Sequence, residues 1–272
     1  MLLTGKKRDL MGNLLEGKSA IVTGSGGGVG RASALRFAEE GAKVVCADIR
    51  LDPVKETVSL IEAAGGTAVA VGADVSKEDD VAAMIAAAVE AFGRLDILFN
   101  NVGVPTPRLG TKLEDHTAED FRRLTDINFG GVFYGIKHAI LQYKAQGGGG
   151  VILSTGSVAG LVAWGGSVYG ATKGAVHQLT KAAAIEGAPF DIRANAICPA
   201  GMPFTGFMAA GGMTVTDEAT LRHIAETTGA NHPLGRPITA EDCAEAAVFL
   251  VSDRAANVTG VLLPVDGGYV AR

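Results

Sequence analysis

Seven short apolar runs, rich in β-branched residues, recur along the chain with segments of helical length between them. They read "SAIVTG", "KVVCAD", "TAVAVGAD", "LDILFNN", "GVILSTG", "IRANAICP" and "GVLLPVDG". Most are continuously apolar rather than alternating, the pattern of strands buried on both faces. The spacing predicts helices over 31–40, 53–64, 78–92, 118–145, 168–187 and 240–251. Asp52 before Pro53, and Thr239 before "AEDCAEAAVFL", read as helix starts. Strand and helix alternating in this way predict an α/β fold, a parallel sheet covered by helices on both sides.

The 272 residues suffice for one large core without a second domain. A net charge of −5 offers no electrostatic footprint for nucleic acid or an anionic membrane. No apolar stretch reaches the ~18 residues of a membrane span. The opening "MLLTGKKRDLMGNLLEGK" has charges where a signal peptide would carry its apolar core, so the expected location is the cytoplasm. Cys46, Cys198 and Cys243 form no CxxC pair, and an odd count fits a reducing compartment. The five histidines show no ligand spacing, so no metal site is expected. Residues 1–17 read as a poorly ordered extension, dispensable before about Leu14, and 18–272 as a single domain. One segment, about 202–236, is too long for a simple connection and reads as a lid, with Phe204, Phe207, Met208 and Met213 needing something to cover.

The first strand runs into "TGSGGGVG", five glycines in eight residues where strand becomes helix. Exposed N–H groups and the helix dipole would hold a phosphate there. The spacing is Gly24-x-x-x-Gly28-x-Gly30, with Val29 where G-x-G-x-x-G would need glycine, and no GK[ST] follows. Asp48 ends the second strand eighteen residues after Gly30, where an acid can accept hydrogen bonds from both hydroxyls of an adenosine ribose.

Tyr169 and Lys173 in "SVYGATKGAV" stand four apart, hence on one helix face. A cation beside a phenol favours the phenolate and brings a group that titrates near ~10 toward the operating pH. Ser157 follows the strand "GVILSTG", at the sheet edge where open α/β folds bind ligands, and its hydroxyl would either hold a substrate oxygen or cap a turn. Asn128 sits inside a helical pattern with apolar neighbours, where a buried amide needs partners.

Taken in order, "TGSGGGVG", Asp48, "ADV" at 73–75, "NNVG" at 100–103, Asn128, Ser157, "YGATK" at 169–173 and the late "VDGG" resemble the short-chain dehydrogenase/reductase family from about Lys18 onward. The resemblance implies a Rossmann-type doubly wound sheet of about seven parallel strands. It also implies an NAD-dependent oxidoreductase that moves a hydride between the cofactor and a secondary alcohol or ketone. It assigns Tyr169 as general acid/base and Lys173 as the group that lowers its pKa and binds the nicotinamide ribose. Ser157 would orient the substrate oxygen, and Asn128 would hold a water that continues the proton path. Gly24, Gly28, Val29, Gly30, Asp48, Asp74, Val75, Asn101, Gly103, Pro199, Met202 and Thr205 would line the cofactor, with Asp74 and Val75 at the adenine and Asn101 at its ribose. A homotetramer is implied too, supported by the alanine- and glycine-rich face of the helix over 168–187.

Two departures stand out: Val102 where the family usually has alanine, and Ala200 inserted after Pro199. The insertion puts Pro203, which has no N–H, where a main-chain donor is expected, so Met202 would supply it or the contact is lost. Two other readings stay open, a non-catalytic dinucleotide-sensing protein and an epimerase or dehydratase. All four site residues are present, against the first, and only a short tail follows "VDGG", against the second. Val104, Pro105, Val162, Trp164, Phe204, Phe207 and Met208 favour an uncharged small-molecule substrate, while Arg108, Arg222 or His223 would bind an acid if the lid folded inward.

Overall fold

The seven apolar runs form seven parallel strands of one sheet in the computed structural model, which describes residues 13–108, 110–203, 206–210 and 217–272. The strands are β1 (Ser19–Thr23), β2 (Lys43–Asp48), β3 (Thr67–Gly72), β4 (Ile97–Asn100), β5 (Gly150–Thr155), β6 (Ile192–Pro199) and β7 (Leu262–Val265). Their spatial order is β3-β2-β1-β4-β5-β6-β7, every neighbouring pair parallel. The order reverses between β1 and β4, and the crevice at the carboxyl ends of those strands is where such sheets bind ligands.

Both faces are covered, which is why the strands read as continuous apolar runs. Within β1, Ala20 and Val22 join one core and Ile21 the other; within β2, Val44 and Cys46 oppose Val45 and Ala47. The first core is closed by α1 (Gly28–Glu39), α2 (Leu51–Ala63) and α9 (Ala240–Val251), through side chains such as Phe37, Ile61 and Val248. The second is closed by α3 (Glu78–Phe92), α5 (Gly131–Gln146) and α6 (Ser167–Gly187), through Met84, Ile136 and Val176. Local signals fix the ends. Thr239 and Asp242 form a reciprocal capping box at α9. Glu78, Asp79 and Asp80 crowd the first turn of α3, and Gly93 closes it at φ 82°.

The first helix begins at Gly28, inside the glycine run where strand was expected to become helix. The structure differs from the sequence reading in three places. The second helix starts at Leu51 after Arg50, not at Asp52 and Pro53, because the Asp48 carboxylate takes the Arg50 N–H at 3.0 Å and turns the chain early. The single helix expected over 118–145 is three pieces: α4 (Ala118–Leu124), a wide π-type turn (Thr125–Gly130) and α5. The cause is Asn128, whose amide is pulled into bonds with Val104, next to the weak helix formers Gly130 and Gly131.

The last difference is at the amino end. Residues 1–12 lie outside the described residues, but residues 13–17 dock on the body. Leu15 is fully buried, its N–H bonds the Glu40 carbonyl at 2.9 Å, and the Leu14 N–H bonds the Glu40 carboxylate at 3.0 Å. The ordered domain therefore begins before Lys18. The segment read from the sequence as a lid contains α7 (Gly206–Ala210) and α8 (Glu218–Ala230), the latter capped by the Asp217 side chain. Among the described residues no helix is long and apolar enough to cross a membrane.

Candidate active site

The glycine turn is shaped by contact as well as by backbone freedom. Gly24 holds φ +69°, a left-handed conformation that side chains disfavour. A Cβ at Gly30 would overlap the Gly24 carbonyl oxygen and lie 2.8 Å from the Asn101 amide nitrogen. Helix α1 then starts from Gly27 with no side-chain cap and no acid in its first turn, so its first N–H groups have no side-chain partner within the helix. Asp48 borders this turn, accepting from the Gly26 N–H at 3.3 Å. Arg31 braces it from behind, donating to the Gly26 and Pro53 carbonyls at 3.0 Å each and to Thr57 Oγ1 at 2.9 Å.

Asn101 ties three strand ends together. Its side chain donates to the Thr23 carbonyl and accepts from Thr155 Oγ1, both at 3.0 Å, while its N–H bonds Thr23 Oγ1 at 2.9 Å. Asp74 holds its own turn through Ser76, a hydrogen bond that keeps its carboxyl below the usual range. Val75 is buried beneath it, against Gly131. These residues fit a dinucleotide: a cradle that side chains would fill, an uncapped helix end for its phosphates and a carboxylate at the rim. Pro199 ends β6 at this edge, Met202 packs toward the core and Pro203 is buried. Phe204, Thr205, Met213 and the side chain of Met208 lie outside the described residues.

Ser157, Tyr169 and Lys173 meet where β5 gives way to α6. Ser157 is extended, caps the short turn Val158–Gly160 by accepting the Ala159 N–H at 3.1 Å, and donates weakly to the Pro199 carbonyl at 3.5 Å. Both roles weighed for it are thus compatible, since the hydroxyl proton is held only by the long bond. Tyr169 is buried, with Phe207 edge-on at 5.6 Å between ring centroids. Lys173 is almost wholly buried, and its ammonium donates to the Thr155 carbonyl at 2.7 Å. A Cβ at Gly103 would come within 3.3 Å of that ammonium nitrogen.

Burial governs the titration of both groups. It pushes the Tyr169 phenol up to about 12, with the nearby Ser157 hydroxyl pulling the other way. Burial also brings Lys173 down to about 8. The expected lowering of Tyr169 by Lys173 does not prevail. The ammonium is directed at Thr155 and lies 5.8 Å from the phenol ring's centroid, too indirect to outweigh desolvation.

Asn128 is fully buried, and its side chain is committed. Its Oδ1 accepts the Val104 N–H at 2.8 Å and its amide donates to the Val104 carbonyl at 2.9 Å. It therefore pins the loop after β4. Arg108 is turned to Asp120 at 2.7 Å and Arg222 to Glu218 at 3.2 Å. Trp164 is half exposed and packs on Tyr269, with ring centroids 5.7 Å apart.

Two contributors escaped the sequence reading. Thr155 acts through its carbonyl, which no residue type announces. His177 lies beneath Ser157, and its position four residues beyond Lys173 on the same helix face was a readable signal.

Comparison with known proteins places the chain in a family. A family model described as "Enoyl-(Acyl carrier protein) reductase" matches residues 24–270. The chain is 36% identical over 266 residues to a cyclohexanol dehydrogenase of an Acinetobacter species, covering 97% of this chain and 99% of that one. It is 38% identical over 261 residues to a 2,5-dichloro-2,5-cyclohexadiene-1,4-diol dehydrogenase of Sphingobium indicum, covering 95% and 98%. The crystal structure of a short-chain type dehydrogenase/reductase from Mycobacterium marinum superposes with a TM-score of 0.84 at 31% identity, covering 97% of this chain and 98% of that one. With that fold, a crevice built for a dinucleotide and likeness along nearly its whole length, the chain belongs to the short-chain dehydrogenase/reductase family of oxidoreductases that act on CH–OH groups with a nicotinamide dinucleotide.

Proposed function

We propose that the protein oxidises a six-membered-ring secondary alcohol, and reduces the matching ketone, with NAD rather than NADP. The observation that carries the reading is the convergence of Ser157, Tyr169 and a buried Lys173 beside the crevice. The bound nicotinamide supplies the hydride acceptor or donor. Ser157 directs its hydroxyl proton at the substrate oxygen, a bond stronger than its present 3.5 Å contact with Pro199. Tyr169 takes the alcohol proton in oxidation and returns it in reduction. Lys173 holds a positive charge near the phenol that favours the anion formed there. An uncharged ring suits the apolar edge offered by Phe207 and Tyr169, and a ring is what the two dehydrogenase relatives are named for.

The test is NADH absorbance on mixing protein and NAD with cyclohexanol, an open-chain secondary alcohol of equal carbon number and an acidic hydroxy compound. Turnover confined to the acidic compound, or to none, refutes the substrate reading. An enoyl thioester with NADH belongs in the same panel, and turnover of that alone would move the chemistry to a carbon–carbon double bond.

The two titrations predict a pH profile. Oxidation needs Tyr169 deprotonated and Lys173 charged. Below about 8 the lysine stays charged, so the rate climbs about tenfold per unit as phenolate accumulates. Above about 8 the loss of the ammonium offsets the gain in phenolate, and the rate levels. Reduction needs the phenol and the ammonium, so it is level below about 8 and falls above it. Lys173→Met should remove the break from the oxidation profile; a break that stays at the same pH refutes the assignment to Lys173.

A cytoplasmic homotetramer belongs to the same proposal. Phe121 on α4, Phe133 and Leu141 on α5 and Ile185 on α6 present exposed apolar side chains on neighbouring helices. Light scattering at micromolar protein should give a mass of about four chains, and a monomer overturns this part.

A further inference from the structure

We infer that His177 is a positioning residue for the reaction: its imidazole holds the Ser157 main chain and thereby aims the Ser157 hydroxyl. The inference rests on the role proposed for Ser157. Three sets of contacts motivate it. His177 is buried on α6, and its Nε2 lies 3.3 Å from the Ser157 N–H nitrogen and 3.3 Å from Cys198 Sγ. Two glycines make room for the ring on either side of the Ser157 turn. A Cβ at Gly156 would overlap Nε2, and one at Gly160 would stand 2.6 Å from Cε1. The ring thus fills a slot that the chain keeps free of side chains.

The protonation state suits the role. A backbone N–H can only donate, so Nε2 must carry a lone pair toward Ser157. Burial pushes the imidazole down to about 4, which keeps it neutral. Burial pushes the Cys198 thiol up to about 12, so it remains an uncharged neighbour of the ring. The imidazole proton is then on Nδ1, beside the Gly160 main chain, which favours it there without the alignment of a hydrogen bond. Nε2 anchors the main chain of Ser157, which is extended at φ −171°. The stack has a simple logic. Tyr169, Lys173 and His177 follow at intervals of four along one face, the first for the proton, the second for charge, the third for the geometry of the serine.

The experiment measures kcat, KM for cyclohexanol, NAD affinity and melting temperature in the native protein and in His177→Leu, His177→Gln, Ser157→Ala and the Ser157→Ala/His177→Leu double variant. His177→Leu leaves the Ser157 N–H without an acceptor, and kcat should fall by about tenfold to a hundredfold while NAD affinity holds. His177→Gln offers a carbonyl oxygen in place of Nε2 and should restore most of the rate. In the Ser157→Ala background the leucine should cost nothing further in kcat, since there is no hydroxyl left to aim. A lowered melting temperature with unchanged kcat, or an equal loss of kcat with and without the Ser157 hydroxyl, makes His177 structural and overturns the inference.

Histidine labelled with nitrogen-15 adds a readout that does not depend on turnover. Its ring signals should show a proton on Nδ1 and an accepting Nε2; a proton on Nε2 overturns the inference whatever the kinetics. Native protein that turns over none of the panel refutes the proposed substrate instead, and the ring signals still decide whether His177 accepts from Ser157.

Discussion

Tyr169→Phe should lower kcat by a factor of at least ~10²–10⁴, the range for a lost general acid/base, while NAD affinity and melting temperature stay near native. The expectation of an intact fold comes from the packing. The Tyr169 ring is buried and meets Phe207 edge-on at 5.6 Å, contacts that phenylalanine keeps. What is lost is the titrating hydroxyl that lies beside the Ser157 hydroxyl. The direction of the pKa shift sharpens the prediction. A phenol held at about 12 by burial is a reluctant base and a ready proton donor at neutral pH, so reduction of the ketone should be the faster direction before substitution. Stopped-flow measurement of both directions, with NADH fluorescence to confirm binding, checks the result. Near-native turnover in the variant would remove Tyr169 from the chemistry.

Native protein should prefer NAD over NADP by roughly a thousandfold in kcat/KM, and Asp48→Ala should erase most of that ratio. A carboxylate facing the 2′-phosphate at 4 Å costs on the order of 4 kcal/mol per unit charge at an effective dielectric of 20. The second phosphate charge adds to this and solvent reduces it. The structure supports a fixed carboxylate: Asp48 is held by the Gly26 and Arg50 N–H groups, so it does not swing away easily. Two arginines lie near. Arg31 is spent on Gly26, Pro53, Thr57 and Glu56, which removes it as a phosphate ligand. Arg50 is exposed and lies 3.9 Å from Asp48, so in Asp48→Ala it is released toward a phosphate and should help NADP. The variant also loses the Gly26 anchor, which weakens both cofactors, and only the ratio isolates the ribose term. Native preference for NADP, or a ratio that the substitution leaves unmoved, would show that Asp48 does not read the ribose.

Much of this architecture was legible in residue order. Continuous apolar runs with helices between them require a parallel sheet buried on both faces, because only that arrangement hides every side chain of such strands. The glycine turn is local too, since Gly24 adopts a backbone conformation and Gly30 a contact that the residue type itself announces. Tyr169 and Lys173 share a face by helical period alone.

What escaped depends on partners distant in the chain. Asn128 read as a buried amide in a continuous helix, and its bonds to Val104, 24 positions away, are what widen that helix into a π-type turn. Arg108 and Arg222 read as candidate anion ligands, and the acids they face, Asp120 and Glu218, are set by how the chain folds around them. Leu15 read as part of a loose extension and is buried because Glu40, 25 positions on, accepts its N–H. Titration is the extreme case. Residue types predicted a lysine that lowers a tyrosine, but desolvation sums over every atom packed around a group, and that sum exists only in the folded chain. Sequence alone determined which local conformations and chemistries this protein carries. Tertiary structure decided which of them meet and in what charge state, because hydrogen-bond partners and burial are set by strands and helices that are neighbours in space and strangers in sequence.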